Sequence, residues 1–134
     1  MQLFIDKEFN LNYNGTMQII MGKETADQIG EKYIVLKLDT VKIKGKLVPA
    51  FAVLDAGSIP LGEMQEIPIW VEHHNKVMEN YYKQNWKFCE QMVEHCQGRW
   101  GGSMDSFYTE MLDRIKTLKK KKLPKDWDGT IVRN

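Results

Sequence analysis

The stretch Lys37-Leu-Asp-Thr-Val-Lys-Ile-Lys-Gly-Lys46 decides how the first half of this 134-residue chain folds. Val41 and Ile43 alternate with lysines, so one face of the segment can be buried while the ammonium groups stay in water. Gly45 can adopt the positive φ of a tight turn. The stretch therefore predicts a β-hairpin whose second strand covers residues 47–54.

Strand signals extend over residues 1–55, which we predict to form an antiparallel meander of about four strands with one short helix. The β-branched or aromatic runs lie at residues 3–5, 17–21, 33–38 and 47–54. Residues 23–29, between the second and third runs, are long enough for about two helical turns. Pro49 has no amide hydrogen, so the last strand should lie at an edge or turn that position outward.

Residues 56–67 are rich in turn formers and predict a connector, after which the apolar period becomes helical over residues 68–122. Pro68 suits the first turn of the first helix, and Gly101-Gly102 separates the second helix from a third with Ser103 as its N-cap. Residues 123–134 form a C-terminal tail. The predicted fold class is α+β, an antiparallel sheet followed by about three helices.

The composition excludes several classes of protein. With 43% hydrophobic and 28% charged residues the chain is typical of globular proteins. Lys plus Arg number 19 against 18 Asp plus Glu, and the net charge of +1 argues against a general nucleic-acid-binding surface. No apolar run reaches the roughly 18 residues of a membrane span. Cys89 and Cys96 are typical of buried thiols in a reducing compartment, so we expect a cytoplasmic protein.

The first half and the tail resemble a known family. Residues 19–33, the hairpin and the strand after it are similar to the end of the catalytic domain of class III adenylate and guanylate cyclases. There a strand, a short Glu-Glu-Thr helix, a Leu-Asp-x-Val-x-Val-Lys-Gly-Lys hairpin and a final strand follow one another. Pro124-Lys-Asp-Trp127-Asp-Gly129 resembles the Pro-x-Asp-Trp-Asp-Gly tail of many such cyclases. The segments occur in the same order as in that family.

The helical half contains a second resemblance. Tyr81-Tyr-Lys-Gln-Asn-Trp86 and the residues after it, as far as Cys96, resemble the middle of a tetratricopeptide unit, with Cys89 and Cys96 at the small-residue positions. This resemblance implies a closely packed pair of antiparallel helices. Fewer than two units are present, whereas a solenoid needs about three to build a binding groove. We therefore interpret the helices as a layer packed on the sheet, and a peptide-binding groove is the alternative.

The cyclase resemblance implies a non-catalytic relative without a cofactor, because the metal-binding, base-selecting and transition-state motifs of that family have no match in this sequence. The first functional hypothesis is an interaction or regulatory protein that acts through protein–protein contacts or self-association. A second is an accessory subunit that binds a nucleotide or a cyclase. A third is a phage structural or host-takeover protein, since the chain is also similar to small uncharacterised proteins of tailed bacteriophages.

The candidate binding residues are three lysines and two tryptophans. Lys42, Lys44 and Lys46 would suit a nucleotide if they faced a pocket, and a solvated hairpin tip is the alternative. Trp100 and Trp127 are candidates because large aromatic side chains dominate interface hot spots, although tryptophans at helical spacing are often core. We expect Trp100, beside two glycines, to be partly exposed.

No catalytic residue and no metal site is predicted. His73, His74, His95 and Cys96 are of metal-ligand types. Adjacent helical histidines, however, point about 100° apart, so only one of the pair naturally faces a given ligand partner. Asp39 is expected to cap or turn the hairpin.

Overall fold

The computed structural model describes residues 18–29, 33–55, 57 and 59–133. In chain order its helices and strands are β1 (Gln18–Met21), α1 (Lys23–Asp27), β2 (Tyr33–Ile43), β3 (Lys46–Asp55), α2 (Ile67–Tyr82), α3 (Trp86–Cys96), α4 (Asp105–Leu118) and β4 (Ile131–Arg133). Two 3₁₀ helices cover Leu61–Glu66 and Trp100–Gly102. The predicted α+β class is confirmed, as are the short helix and the three helices after the sheet.

The predicted hairpin consists of β2 and β3, which pair antiparallel from Tyr33 and Asp55 down to Ile43 and Lys46. The turn has two residues, Lys44 with a φ of 49° and Gly45 with a φ of 83°. Positive φ at both positions is the geometry of a type I′ turn, whose twist matches that of the flanking strands.

The strand order is β1-β3-β2-β4, which differs from the order of a meander. β1 pairs antiparallel with β3, from Gln18 opposite Val53 to Met21 opposite Ala50, so β3 lies inside the sheet. Pro49 lies just past the end of β1, and its carbonyl accepts a 2.8 Å hydrogen bond from the N–H of Gly22. Its nitrogen faces the same side as that carbonyl, so the ladder between β2 and β3 loses no donor.

The fourth strand comes from the C-terminal tail. Residues 3–5, where a strand was predicted, lie outside the described residues. β4 pairs parallel with β2, from Val41 opposite Ile131 to Ile43 opposite Arg133. The sheet is therefore mixed, with an antiparallel group of three strands and one parallel edge strand that the sequence analysis did not predict.

The three long helices cover one face of the sheet. The main core contains buried residues from both layers: Leu36, Leu38, Val41, Ala50, Ala52, Val77, Cys89, Val93, Phe107, Met111 and Ile115. Ile20, Ala26 and Val53 form a smaller cluster with Phe51 under α1 on the opposite face. A shift in the pairing of β2 between Lys37 and Thr40 brings Leu38 and its neighbour Asp39 both out of contact with solvent.

Helices α2 and α3 are antiparallel neighbours, since early residues of α2 contact late residues of α3. His73 lies beside His95, and Tyr81 beside Trp86. Between them the thiol of Cys89 donates to the carbonyl of Val77 at 3.5 Å. The small side chain at this position lets the two helices approach closely, as the sequence analysis predicted.

The predicted N-cap at Ser103 is wrong. Helix α4 begins at Asp105, and the residue before it, Met104, makes no side-chain capping hydrogen bond. The carboxylate of Asp105 instead accepts a 2.8 Å hydrogen bond from the N–H of Gly98 and so fixes the loop that enters the helix. Within the described residues no helix combines the length and apolar character needed to cross a membrane.

Candidate functional site

The three segments that the sequence analysis singled out meet at the C-terminal end of α2. The ring of Tyr81 lies 5.5 Å from that of Trp86 and 5.8 Å from that of Trp127, measured between centroids. The two indoles are 5.6 Å apart and nearly perpendicular. We call these three side chains the aromatic triangle. It joins the tail to the helix pair, while β4 joins the tail to the hairpin.

The aromatic triangle is a packing cluster. Centroid separations of 4.5–7 Å are those of rings in direct edge-to-face contact, so the rings fill the space between them. Trp127, a candidate binding residue, is half-buried in this cluster. Most of the ring therefore serves to attach the tail to the helix pair. A packing role describes Trp127 better than a binding role does.

Gly129 brings the tail backbone directly onto the ring of Tyr82. A Cβ atom at this position would lie 2.7 Å from Cε1 of Tyr82, closer than carbon atoms approach without a shift. The φ of Gly129 is 76°, a conformation that side chains with a Cβ disfavour. Two independent constraints thus require glycine in the Asp-Trp-Asp-Gly tail.

A buried ion pair lies beside the aromatic triangle. Asp39 is fully buried, and its Oδ1 accepts a 2.8 Å hydrogen bond from Nη1 of Arg114 on α4. Arg114 also donates to the hydroxyl of Tyr81 at 3.4 Å. Burial lowers the pKa of Arg114, but the carboxylate of Asp39 and the hydroxyl of Tyr81 together outweigh burial, so this pKa is raised. The expectation that Asp39 caps or turns the hairpin is wrong, because the irregular pairing of β2 directs it inward.

His74 connects three elements through its two ring nitrogens. Nε2 lies 2.6 Å from the carbonyl oxygen of Lys37, and Nδ1 lies 2.7 Å from the hydroxyl of Tyr108. A carbonyl only accepts, so Nε2 carries the proton and Nδ1 accepts from the tyrosine. Burial lowers the pKa of His74 to about 4, so the ring is neutral at physiological pH.

The contacts of the histidines also determine which ring nitrogens could bind a metal ion. Both ring nitrogens of His74 are engaged, whereas His73 and His95 face each other with centroids 6.0 Å apart. Across residues 18–29, 33–55, 57 and 59–133 no group of three or more His, Cys, Asp or Glu side chains is arranged to hold a metal ion.

Lys37 is a polar residue whose setting the sequence analysis missed. Its ammonium group donates to the carbonyl of Leu38 and to the hydroxyl of Thr40, both at 2.9 Å. It also lies 5.9 Å from the centroids of Phe51 and Tyr82. Burial lowers the pKa of Lys37 to about 8, although the nearby Asp39 acts in the opposite direction. In the sequence Lys37 cannot be told from the solvated lysines that follow it.

The three candidate lysines are exposed around the turn of the hairpin. Lys42 lies across from Leu47, Lys44 is in the turn, and Lys46 lies across from Ile43. Leu47 is itself 58% exposed. We call Lys42, Lys44, Lys46 and Leu47 the hairpin tip. The hairpin tip is distant in sequence from both Trp100 and Trp127. Of these two, only Trp127 belongs to the tail, which pairs with β2 of the hairpin through β4.

The expected exposure of Trp100 is wrong, since only 2% of this residue is accessible to solvent. Its ring makes an edge contact with Trp70 at a centroid distance of 5.4 Å, and the guanidinium of Arg99 lies 5.3 Å from the centroid of the Trp70 ring. Trp100 and Gly101 both have positive φ, 59° and 63°. This turn directs the indole inward instead of leaving it beside the glycines at the surface.

A second surface spans the end of the predicted connector, residues 56–67, and the start of α2. Leu61, Met64 and Ile69 are 85%, 41% and 53% exposed. A 3₁₀ helix has three residues per turn, so Leu61 and Met64 lie one above the other, and so do Glu63 and Glu66 on the adjacent side. We call these five residues the acidic ridge. Its signal in the sequence was large apolar side chains within a turn-rich segment.

A scan against protein-family models finds no matching family, and neither the curated proteins nor the solved structures contain a match. The resemblances to cyclases and to tetratricopeptide units therefore stay predictions that rest on the residues quoted for them.

Proposed function

We propose that this chain is a non-catalytic interaction or regulatory protein that acts through protein–protein contacts, and that the acidic ridge is its binding surface. The observation that carries the proposal is the exposure of Leu61, Met64 and Ile69 within nine consecutive residues. Single exposed apolar residues are ordinary, but several within one short segment favour an interaction site.

The acidic ridge has the composition and the support of such a site. Apolar side chains supply the binding energy of an interface, while charged neighbours fix its orientation and exclude other partners. The 3₁₀ helix runs directly into α2, whose Trp70 and Val77 are anchored in the core. The exposed residues are thus held on a rigid element, and a partner that binds them does not have to order a loop.

The interior polar groups support a structural role instead of a catalytic one. Asp39 is paired with Arg114, and His74 uses both of its ring nitrogens on Lys37 and Tyr108. A general base or a nucleophile needs a reacting group that a substrate can reach. These two side chains, which are the buried polar residues of the described core, are committed to neighbours inside the protein.

We place the protein in the cytoplasm. Cys89 and Cys96 are both free and buried, which supports a reducing compartment. The cyclase resemblance favours a role in joining or regulating parts of a larger assembly, and a nucleotide- or cyclase-binding subunit or a phage structural or host-takeover protein would act through the same kind of surface.

The test is a comparison of two variants in which apolar side chains become polar. Leu61→Ser with Ile69→Ser removes two of the three exposed apolar side chains of the acidic ridge, and Tyr33→Thr removes an exposed apolar residue elsewhere, in β2. Each protein is cross-linked in a lysate of its natural host, and purified samples are measured by light scattering after size exclusion. We expect the ridge variant to lose its cross-linked complexes and its self-association, while Tyr33→Thr keeps both.

Identical cross-linked complexes for the wild type and the ridge variant would contradict the proposed surface. Binding of a nucleotide by the purified wild type, abolished when Lys42 and Lys44 are changed to serine, would favour the accessory-subunit alternative instead.

A further inference from the structure

The hairpin tip and the acidic ridge have opposite charges and similar apolar character. The tip presents three exposed lysines beside Leu47, which is 58% exposed. The ridge presents Glu63 and Glu66 beside its apolar residues, and residues 60–72 contain no lysine or arginine. One chain therefore has two surfaces that could each bury the exposed apolar side chains of the other.

The two surfaces do not cover each other within one molecule. Leu47 at the tip and Leu61 on the ridge both remain largely exposed in the folded chain. The tip is held by the short turn at Lys44 and Gly45, while the ridge is fixed by its continuity with α2. Because both surfaces are exposed and belong to ordered elements, we take their complementarity to be satisfied between molecules.

We propose that the acidic ridge of one molecule binds the hairpin tip of a second copy of this chain. This inference rests on the proposed function and names the partner of the same surface. Leu47 contacts Leu61 and Met64, and the ammonium groups of Lys44 and Lys46 face the carboxylates of Glu63 and Glu66. Because different patches of the two molecules meet, the contact is heterologous and can repeat in a ring or a filament.

The apolar contacts and the charges make different contributions. Exposed ion pairs are weak and are screened by salt, whereas burial of leucine and methionine side chains favours association over a wide range of salt concentrations. The charges favour contact between a hairpin tip and an acidic ridge, and they oppose contact between two acidic ridges. We therefore expect the association to weaken at high salt without disappearing.

The test is a charge exchange between the two surfaces. The tip variant carries Lys44→Glu and Lys46→Glu, and the ridge variant carries Glu63→Lys and Glu66→Lys. Lys42 is left unchanged because it lies near Asp128 of the tail. Circular dichroism and thermal melting first establish that each variant folds. Association is then followed by sedimentation velocity from micromolar to near-millimolar protein.

Each variant alone should associate at least tenfold more weakly than the wild type. An equimolar mixture of the two variants should associate again, because the acidic tip of one meets the basic ridge of the other. The chain that carries all four changes should also associate with itself. A control with Lys120→Glu and Lys121→Glu, on exposed lysines after α4, should associate as the wild type does.

Three results would overturn the inference: a wild-type chain that stays monomeric at low salt and the highest concentration, variants that associate as strongly as the wild type, or a mixture that fails to recover association. The proposed function is judged separately. A monomeric wild type whose cross-linked complexes are lost on Leu61→Ser with Ile69→Ser would exclude the second copy and leave the ridge as a site for another protein.

Discussion

The carboxylate of Asp39 and the guanidinium of Arg114 lie 2.8 Å apart, although 75 positions separate them in the chain. The pair ties the irregular part of β2 to α4, and Tyr81 of α2 shares the same guanidinium. Arg114 thus connects the sheet with two of the three long helices. Because Asp39 is fully buried, the pair is sensitive to the loss of either partner.

We expect Asp39→Ala to lower the free energy of unfolding by about 3–5 kcal/mol, because it leaves the charge of Arg114 without its buried partner. Urea denaturation followed by circular dichroism measures the change. The control is Asp113→Ala, which removes an exposed carboxylate of α4 that pairs only loosely with Lys116 at 4.0 Å. That change should be nearly neutral. Equal effects of the two substitutions would refute the importance of the buried pair.

The neutral state of His74 predicts a loss of stability in acid. Burial lowers the pKa of His74 from its ordinary value of 6.5 to about 4, so between these pH values the unfolded chain binds a proton that the folded chain does not bind. Stability is therefore complete above pH 6.5 and falls as the pH drops toward 4, by about 1.4 kcal/mol per unit and about 3 kcal/mol altogether.

The measurement is the free energy of unfolding at a series of pH values for the wild type and for His74→Gln. Carboxylates titrate near the lower end of this range in both proteins, so the difference between the two curves isolates the histidine. We expect that difference to shrink steadily between pH 6.5 and 4. Parallel curves for wild type and His74→Gln would contradict the assignment.

The close approach of the tail predicts that Gly129→Ala loosens it. The left-handed conformation alone costs an alanine about 1–2 kcal/mol. The new Cβ would also meet the ring of Tyr82 at 2.7 Å. We expect a lower midpoint of urea unfolding together with a red-shifted tryptophan emission, because Trp127 moves toward water.

Gly62→Ala is the matched control, since a Cβ there has no neighbouring atom within 4 Å and its φ is not positive. It should leave both the midpoint and the emission unchanged. If Gly129→Ala behaves in the same way, the tail is not packed against α2 as described.

The hairpin and the helices could be predicted from the sequence because their signals are local. Alternation around Val41, a glycine at the turn and the helical period after Pro68 each depend on neighbours a few residues away. The burial of Asp39 could not be predicted in this way. In an alternating strand a carboxylate reads as solvent-facing, and only the shifted pairing of β2 together with the distant Arg114 makes its burial favourable.

The surfaces were harder to predict than the core. Trp100 beside two glycines suggested exposure, but its positive φ turns the indole inward, which the sequence does not reveal. Leu61 and Met64 in a turn-rich segment suggested only a connector, because nothing local distinguishes an exposed leucine from a buried one. β4 was missed since three residues have too weak a strand signal without their partner β2.

The parallel pairing of β4 with β2 determines the order in which the molecule assembles. The partners of β2 are β3, reached across a two-residue turn, and β4, which comes from the far end of the described chain. Pairing β4 with β2 closes a much longer loop than the hairpin turn does, so it costs more chain entropy. It also requires the helices between β3 and β4 to be in place. The hairpin should therefore form early and the tail last. In the native protein the amides of β4 should accordingly exchange with solvent long before those of β2 and β3 do.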